Sequence, residues 1–365
     1  MVSIATTLPY VISFILGYFA DQTKDKYNII LSTRFYQFLL FSLFGLVCIY
    51  GVQWWIFIVL VFVNVVADIL GGYNSYLSMS INTRLVRKEQ LSEALAFISS
   101  VNNTISLGGK AAGVFILGLL SYNYSYFGML NAVLFLIAFL ILAKYKNAMK
   151  AEIGSFKVKN TEKVSTKRFL KDTIENFKIL REIKKIYNFV ILFLGMNFYS
   201  SAMFALLLVI LVKNDSLLFG NVAYTITLLE IVEVVSTIAG GVYQISFYKN
   251  MSLRNNAILE IILFIMYVGN LLLLQNKFIL VILTVIIGYF AGISNPKLDA
   301  LILQSVPEEK QTSIYSIFST IITISVPIGT TVILFFANAI GASFALYSLL
   351  ILLILVLVYS FRVKE

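Results

Sequence analysis

Apolar runs close to twenty residues long, repeated along the whole chain, constrain this protein more than any other feature. A run of that length crosses a hydrocarbon core about 30 Å thick at about 1.5 Å per residue. Backbone groups in lipid must be satisfied within their own segment. The runs are far too long for barrel strands, so each is expected to be a helix. Eleven spans can be read, at roughly 3–20, 28–51, 54–80, 94–120, 126–143, 187–212, 217–244, 257–275, 278–303, 313–337 and 342–360. Only 13% of the residues are charged, against about 25% in soluble domains. The sequence therefore specifies an all-α integral membrane protein.

The loops alternate in charge. Gly51–Gln53, Ser121–Ser125 and Asn338–Gly341 carry none, whereas Asp21–Lys26, Arg84–Glu93, Lys249–Arg254, Glu308–Lys310 and Arg362–Lys364 are charged and mostly basic. The basic set is assigned to the cytoplasm, with the C-terminus inside and the present N-terminus outside. The formal charge of +10 sits in these loops and in one Lys-rich segment, so it does not point to nucleic acid. That segment, 144–186, reads as a basic cytoplasmic linker attracted to anionic lipid. Its stretch Phe169–Leu180 could instead form an amphipathic helix on the membrane surface. Residues 1–143 then form an N-terminal bundle and 187–365 a C-terminal bundle of six helices. One cysteine, Cys48, and no histidine leave no intrachain disulfide and no His or Cys metal site. No phosphate-binding loop and no catalytic constellation is present. No cofactor is expected, and no removable signal peptide is read at the N-terminus.

An internal repeat relates the two bundles. At an offset of 220, Gly72 matches Gly292, Val86 matches Val306, Glu89 matches Glu309, Ser99 matches Ser319 and Gly109 matches Gly329. Gly17 and Lys26 find echoes at Gly240 and Lys249, offset 223, with Gln244 in place of Asp21. Both charged loops are cytoplasmic in this reading, so the repeat is a parallel one about an axis along the membrane normal.

Gly17, Asp21, Lys24 and Lys26 stand in a tight basic turn between two membrane-length segments. Their pattern resembles the Gly-x-x-x-Asp-x-x-x-x-Lys/Arg signature of the major facilitator superfamily. Gly288, Gly292, Asn295, Pro296, Gln304, Ser316, Pro327 and Gly329 resemble the tenth-to-eleventh helix region of its macrolide-efflux-type branch. Gly108, Gly109 and Gly113 resemble the Gly-Pro-x-x-x-Gly region of the fifth helix, with Gly109 where proline is usual. The resemblance implies two pseudo-symmetric bundles and helix-packing roles for Gly108, Gly109, Gly113, Pro327 and Gly329. It also implies proton-coupled efflux (drug:proton antiport) of small amphipathic or hydrophobic compounds, by a monomer in a bacterial cytoplasmic membrane. The family has twelve helices; this chain begins at the family's second, so the first is expected to be lacking. A non-transporting protein, such as a truncated copy or an accessory or immunity-type factor with a membrane partner, is the alternative. Asp21 is expected to pair with basic residues or helix N-termini and hold an outward-open state, with Lys24 and Lys26 serving lipid or that latch.

Ionisable groups in mid-bilayer need a partner, water or a purpose. Asp68, Lys110, Glu230 and Glu233 lie at similar depths, and the two glutamates share a helix face. They could form a charge cluster of Lys110 with Glu230 or Glu233, joined by Asp68. It would be a static ion pair, a proton-coupling site or a substrate contact. Arg34, Glu260, Lys297 and Asp299 are expected to snorkel or be solvated. Trp54, Trp55, Tyr122, Tyr124 and Tyr126 fall at the outer boundary as anchors.

Overall fold

The computed structural model describes residues 12–51, 53–154 and 166–363; the side chains of Lys110, Ala111, Val114 and Thr166 lie outside the description. Helix α1 is Ser13–Gln22, α2 Lys26–Val47, α3 Trp54–Leu85, α4 Leu91–Leu119 and α5 Tyr124–Lys144. Two shorter helices follow, α6 Lys146–Ile153 and α7 Thr166–Glu182. Then come α8 Lys184–Lys213, α9 Val222–Val242, α10 Ser246–Asn250, α11 Leu253–Gly269, α12 Lys277–Ser305, α13 Gln311–Ala339 and α14 Ala342–Ser360. Local signals place several starts. The side chains of Asp25, Asn123, Asn221 and Ser252 each accept a hydrogen bond from the first turn of α2, α5, α9 and α11, which satisfies donors that a helix end leaves unpaired.

Among the described residues, nine helices are long and apolar enough to cross a membrane. This differs from the expected eleven at two places. Half of the span 3–20 falls outside the described residues, and the rest lies in or immediately before the ten-residue helix Ser13–Gln22. The span 94–120 is one continuous helix, α4, but Asn102, Asn103, Thr104 and Lys110 dilute its apolar content, and it is not among the nine. The linker also has structure: α6 and α7 lie within it, and residues 155–165 are outside the description.

The chain divides into two compact units. Unit 1 comprises Met1–Lys88, Gly108–Ile179 and Leu303–Thr320; unit 2 comprises Glu89–Leu107, Leu180–Ile302 and Ile321–Glu365. The start of α13 thus belongs with unit 1, and the first half of α4 with unit 2. In unit 1, Leu16, Ala20, Tyr27, Ile30, Leu77 and Ile81 form a buried core from α1, α2 and α3. In unit 2, α8 is the most enclosed helix, with Phe189, Leu192, Leu206 and Leu211 fully or almost fully buried; α14 packs against α8 and α11.

Candidate functional site

Unit 1 is built around the end of α1. Ser13, Gly17 and Asp21 recur every four residues and so share one helix face. That face meets the equally spaced Thr312, Ser316 and Thr320 of α13. Gly17 lets the two backbones touch: a Cβ built on it would lie 2.1 Å from Ser316 Oγ and 2.4 Å from the Thr312 carbonyl oxygen. Thr312 Oγ1 donates to the Gly17 carbonyl at 2.9 Å, and the Ser13 and Thr320 hydroxyls bond at 2.7 Å. Small residues at a helix contact permit this approach.

Asp21 completes the contact. It is buried, 6% exposed, and both its oxygens are used. Oδ1 accepts from the Thr312 backbone N–H at 3.1 Å and from the Thr312 hydroxyl; Oδ2 accepts from the Ser313 N–H at 2.6 Å. Those N–H groups belong to the first turn of α13, where a helix presents unpaired donors and partial positive charge. A carboxylate from another helix therefore serves as the cap of α13.

The expected basic neighbours divide. Lys24 is exposed. Lys26 is buried, 3% exposed, and its ammonium donates to the Ala20 carbonyl. That ties down the C-terminal turn of α1, a position where lysine complements the helix dipole. Lys26 is thus not a surface charge offered to lipid. Asp25 caps α2 and accepts from Lys150 Nζ at 2.6 Å. Although partial desolvation acts against it, hydrogen bonds from Lys150 and Asn28 hold its carboxyl below the ordinary carboxylate range. Helix α7 braces the same region. Phe169 packs on Phe14, Tyr18 and Phe19, Tyr18 donates to Asp172 Oδ2 at 2.8 Å, and Lys310 pairs with Glu175 at 2.7 Å. Leu170, Ile174 and Phe177 of α7 remain exposed.

Unit 2 holds a related contact. A Cβ built on Gly241 of α9 would lie 2.1 Å from Ser100 Oγ and 3.0 Å from the Ala96 carbonyl oxygen, both on α4. Gly240, the sequence echo of Gly17, instead abuts the Tyr289 backbone of α12: a Cβ built on it would lie 2.0 Å from the Tyr289 carbonyl oxygen. The charge here is an exposed ion pair, Lys249 Nζ to Glu93 Oε1 at 2.8 Å.

The membrane-depth charges fare variously. Lys110 lies on α4 with its side chain outside the description. Asp68 is exposed and accepts from Asn64 Nδ2 at 3.0 Å. Glu230 and Glu233 share one cavity in unit 2, of about 100 Å³, with Tyr199, Met203, Phe204 and Tyr267. No salt bridge involves either glutamate among the described residues. Two expectations are corrected. Arg34 does not snorkel: it donates to Gln37 Oε1 at 2.9 Å and lies 5.9 Å from the centre of the Phe135 ring. Glu260 is not solvated but buried, 3% exposed, because it lies on the face of α11 that also buries Asn256, Ala257, Phe264 and Tyr267. The glycines also differ. Among the described residues, a Cβ on Gly108 or Gly109 would meet nothing within 4 Å, so neither makes a close contact with them; Gly113 would meet only Phe127, at 3.9 Å. Gly329 does pack closely, since a Cβ built on it would lie 2.7 Å from the Phe198 carbonyl oxygen, and Pro327 lies inside α13. Sequence reasoning missed Thr312 and Ser313 as partners of Asp21. Their only signal was the small-residue spacing through Ser316 and Thr320.

Long apolar helices in two compact units, with capped and charged helix ends, define a polytopic membrane protein. The family model described as Major Facilitator Superfamily matches residues 1–253, and the chain belongs to that superfamily. A search of curated proteins returns no match. Among solved structures, the human organic anion transporter MFSD10 (TETRAN) aligns with a TM-score of 0.73 at 11% identity, covering 98% of this chain and 82% of that one. A bacterial homologue of the iron transporter ferroportin, in an outward-facing state, aligns at 0.69 and 15% identity over 98% and 88%. The E. coli fucose:proton symporter FucP aligns at 0.64 and 13% identity over 100% and 90%. These likenesses concern the fold.

Proposed function

We propose that this protein is a secondary active transporter that exports small amphipathic or hydrophobic compounds in exchange for protons by alternating access. It would act as a monomer in a bacterial cytoplasmic membrane. The observation that carries the reading is Asp21 seated on the first turn of α13 beside the Gly17 close contact. Such a contact can open as a unit, because a carboxylate leaving a helix N-terminus exposes polar groups to water without tearing a hydrophobic core. Gly17, Asp21 and Lys26 are the latch in this reading, and Lys24 stays available to lipid headgroups. Glu230 and Glu233 are the coupling candidates, with Asp68 and Lys110 as further members of the charge set. Their cavity is mostly apolar with two carboxylates at its wall, which suits the cationic arm of an amphipathic compound. At about 100 Å³ it is smaller than the ~300–1,000 Å³ of sites for whole drug-sized ligands.

The experiment is efflux of a fluorescent amphipathic cation from proteoliposomes under an imposed pH gradient. The parent protein should move the dye only with the gradient, and Glu230→Gln or Glu233→Gln should abolish the gradient's effect. Gradient-independent behaviour of the parent would sink proton exchange. Parental rates in both variants would remove the coupling role.

A further inference from the structure

The internal repeat meets again in a buried polar cluster that the transport reading does not use. In unit 1, Thr33 and Gln37 of α2 and Asn74 of α3 are all buried. Thr33 Oγ1 donates to Asn74 Oδ1 at 2.6 Å, Gln37 Nε2 donates to the Ala67 carbonyl at 3.1 Å, and Arg34 donates to Gln37 Oε1. Offsets of 223 for the first two and 220 for the third carry these positions onto Asn256 and Glu260 of α11 and Ser294 of α12. These three, in unit 2, are also buried, at 0%, 3% and 0% exposure. Ser294 stands within reach of the Glu260 carboxyl. Yet Glu260 Oε1, both amide atoms of Asn256 and Ser294 Oγ lack a hydrogen-bond partner among the described residues.

The charge balance differs as well. Unit 1 places a neutral Gln37 beside the cation Arg34; unit 2 places the acid Glu260 where Gln37 stood, and Ala257 where Arg34 stood. The nearby positive groups are directed elsewhere. Arg254 of α11 donates to the Val363 carbonyl at 3.4 Å. Lys297 of α12 gives its ammonium to the carbonyls of Tyr248, Lys249 and Met251. Asp299 on α12 is itself acidic, Tyr267 on α11 is neutral, and α14 carries no Asp, Glu, Lys or Arg. A buried carboxylate with no counter-charge, and with one oxygen, Oε1, lacking a hydrogen bond among the described residues, is a costly arrangement. Several unpaired polar atoms in one buried place signal a missing water or ion.

We propose that Asn256, Glu260 and Ser294 form a buried site for one monovalent cation, a sodium ion or a proton. Glu260 supplies the single charge, and Asn256 Oδ1 and Ser294 Oγ supply neutral oxygens. One carboxylate and two neutral oxygens fall short of the ~6–8 oxygen ligands that calcium takes. The Asn256 amide N–H groups remain to hold a water as co-ligand. The site lies within the first two turns of α11, about 10 Å from the helix start, at the end read as cytoplasmic. It stands apart from the transport reading, since a cation here would tie α11 to α12 whether or not the chain moves a substrate.

The test uses the full chain purified in detergent, with the thermal unfolding midpoint as readout. One arm replaces choline chloride by sodium chloride at constant ionic strength and pH. The other lowers the pH in sodium-free buffer. The midpoint of the parent should rise in one arm, and that arm identifies the cation. Glu260→Gln should flatten the response, and Ser294→Ala should shift the half-effect concentration by about threefold or more. Ser294→Ala decides the matter alone if Glu260→Gln does not fold. Indifference of the parent to both arms, or an unchanged response in Ser294→Ala, overturns the proposal.

Discussion

Two glycine contacts, one in each unit, share a backbone geometry and differ in their electrostatics. At Gly17 the partner helix α13 is met by a buried carboxylate that uses both oxygens on first-turn donors. At Gly241 the partner helix α4 is met by an ion pair whose side chains are 44% and 54% exposed. The close approach recurs one residue beyond the sequence echo of Gly17, at Gly241, and the charge beside it differs. A buried carboxylate on a helix N-terminus is hardly screened, whereas an exposed pair is weakened by salt. The first contact is therefore the firmer fastening, and the second is tuned by the solution around it.

The largest effect should come from filling the glycines, and it should break the symmetry between them. Gly17→Ala drives a methyl against the Thr312 carbonyl and the Ser316 Cβ as well as its hydroxyl. Removing that hydroxyl leaves the backbone clash in place. Gly241→Ala meets mainly Ser100 Oγ at 2.1 Å; the Ala96 carbonyl oxygen at 3.0 Å needs to give only a few tenths of an ångström, and Ser100 Cβ lies at 3.5 Å. Each variant alone should lose about 1–3 kcal/mol, the usual cost of overpacking. Ser100→Ala should rescue Gly241→Ala, and Ser316→Ala should fail to rescue Gly17→Ala, as read by thermal unfolding in detergent. Rescue at both sites would erase the distinction drawn here.

The charges come next. Asp21→Asn keeps shape but leaves one amide NH₂ facing a backbone N–H, so one of the two first-turn bonds is lost. The expected cost is about 0.5–2 kcal/mol, in the range of lost caps and helix-dipole charges. Transport turnover should fall more than substrate affinity. Lys249→Gln should cost no more than about 1 kcal/mol, and that difference should shrink in high salt. A salt-sensitive Asp21→Asn beside a salt-insensitive Lys249→Gln would reverse the assignment of firm and tuned contacts.

Much of this was legible before any coordinates. Span length and hydropathy are local properties, so α2, α3, α5, α8 and the last five long helices stand where their apolar runs lie. The Gly17–Asp21 pair was visible too, but its partners were not. Thr312 is 291 residues away in sequence, and no local pattern couples a carboxylate to the N–H groups of a distant helix. Lys26 misled because a lysine just past a helix end can either reach water or fold back on the last carbonyls, and composition does not choose. Glu260 misled because its nearness to a helix end says nothing about which face α11 buries. Gly108 and Gly109 misled because glycine marks a place where close approach is allowed, not one where a neighbour has come.

The smallest effect tests whether exposure, rather than membership of one unit, sets the strength of a charge. Asp25 belongs to unit 1 like Asp21, yet its side chain is 48% exposed where it pairs with Lys150. Asparagine caps a helix about as well as aspartate, so Asp25→Asn isolates the charge. An exposed pair of this kind is worth only a few tenths of a kcal/mol. Its folded carboxyl is held below the ordinary range, so the contribution is present above the unfolded value of about 3.9. It is lost as the pH falls through the lower folded value. Parent and Asp25→Asn should therefore differ slightly and constantly in unfolding midpoint from neutral pH down to mild acid, and converge only in strong acid. A difference as large as that of Asp21→Asn at neutral pH would show that position in unit 1, not burial, governs these contacts.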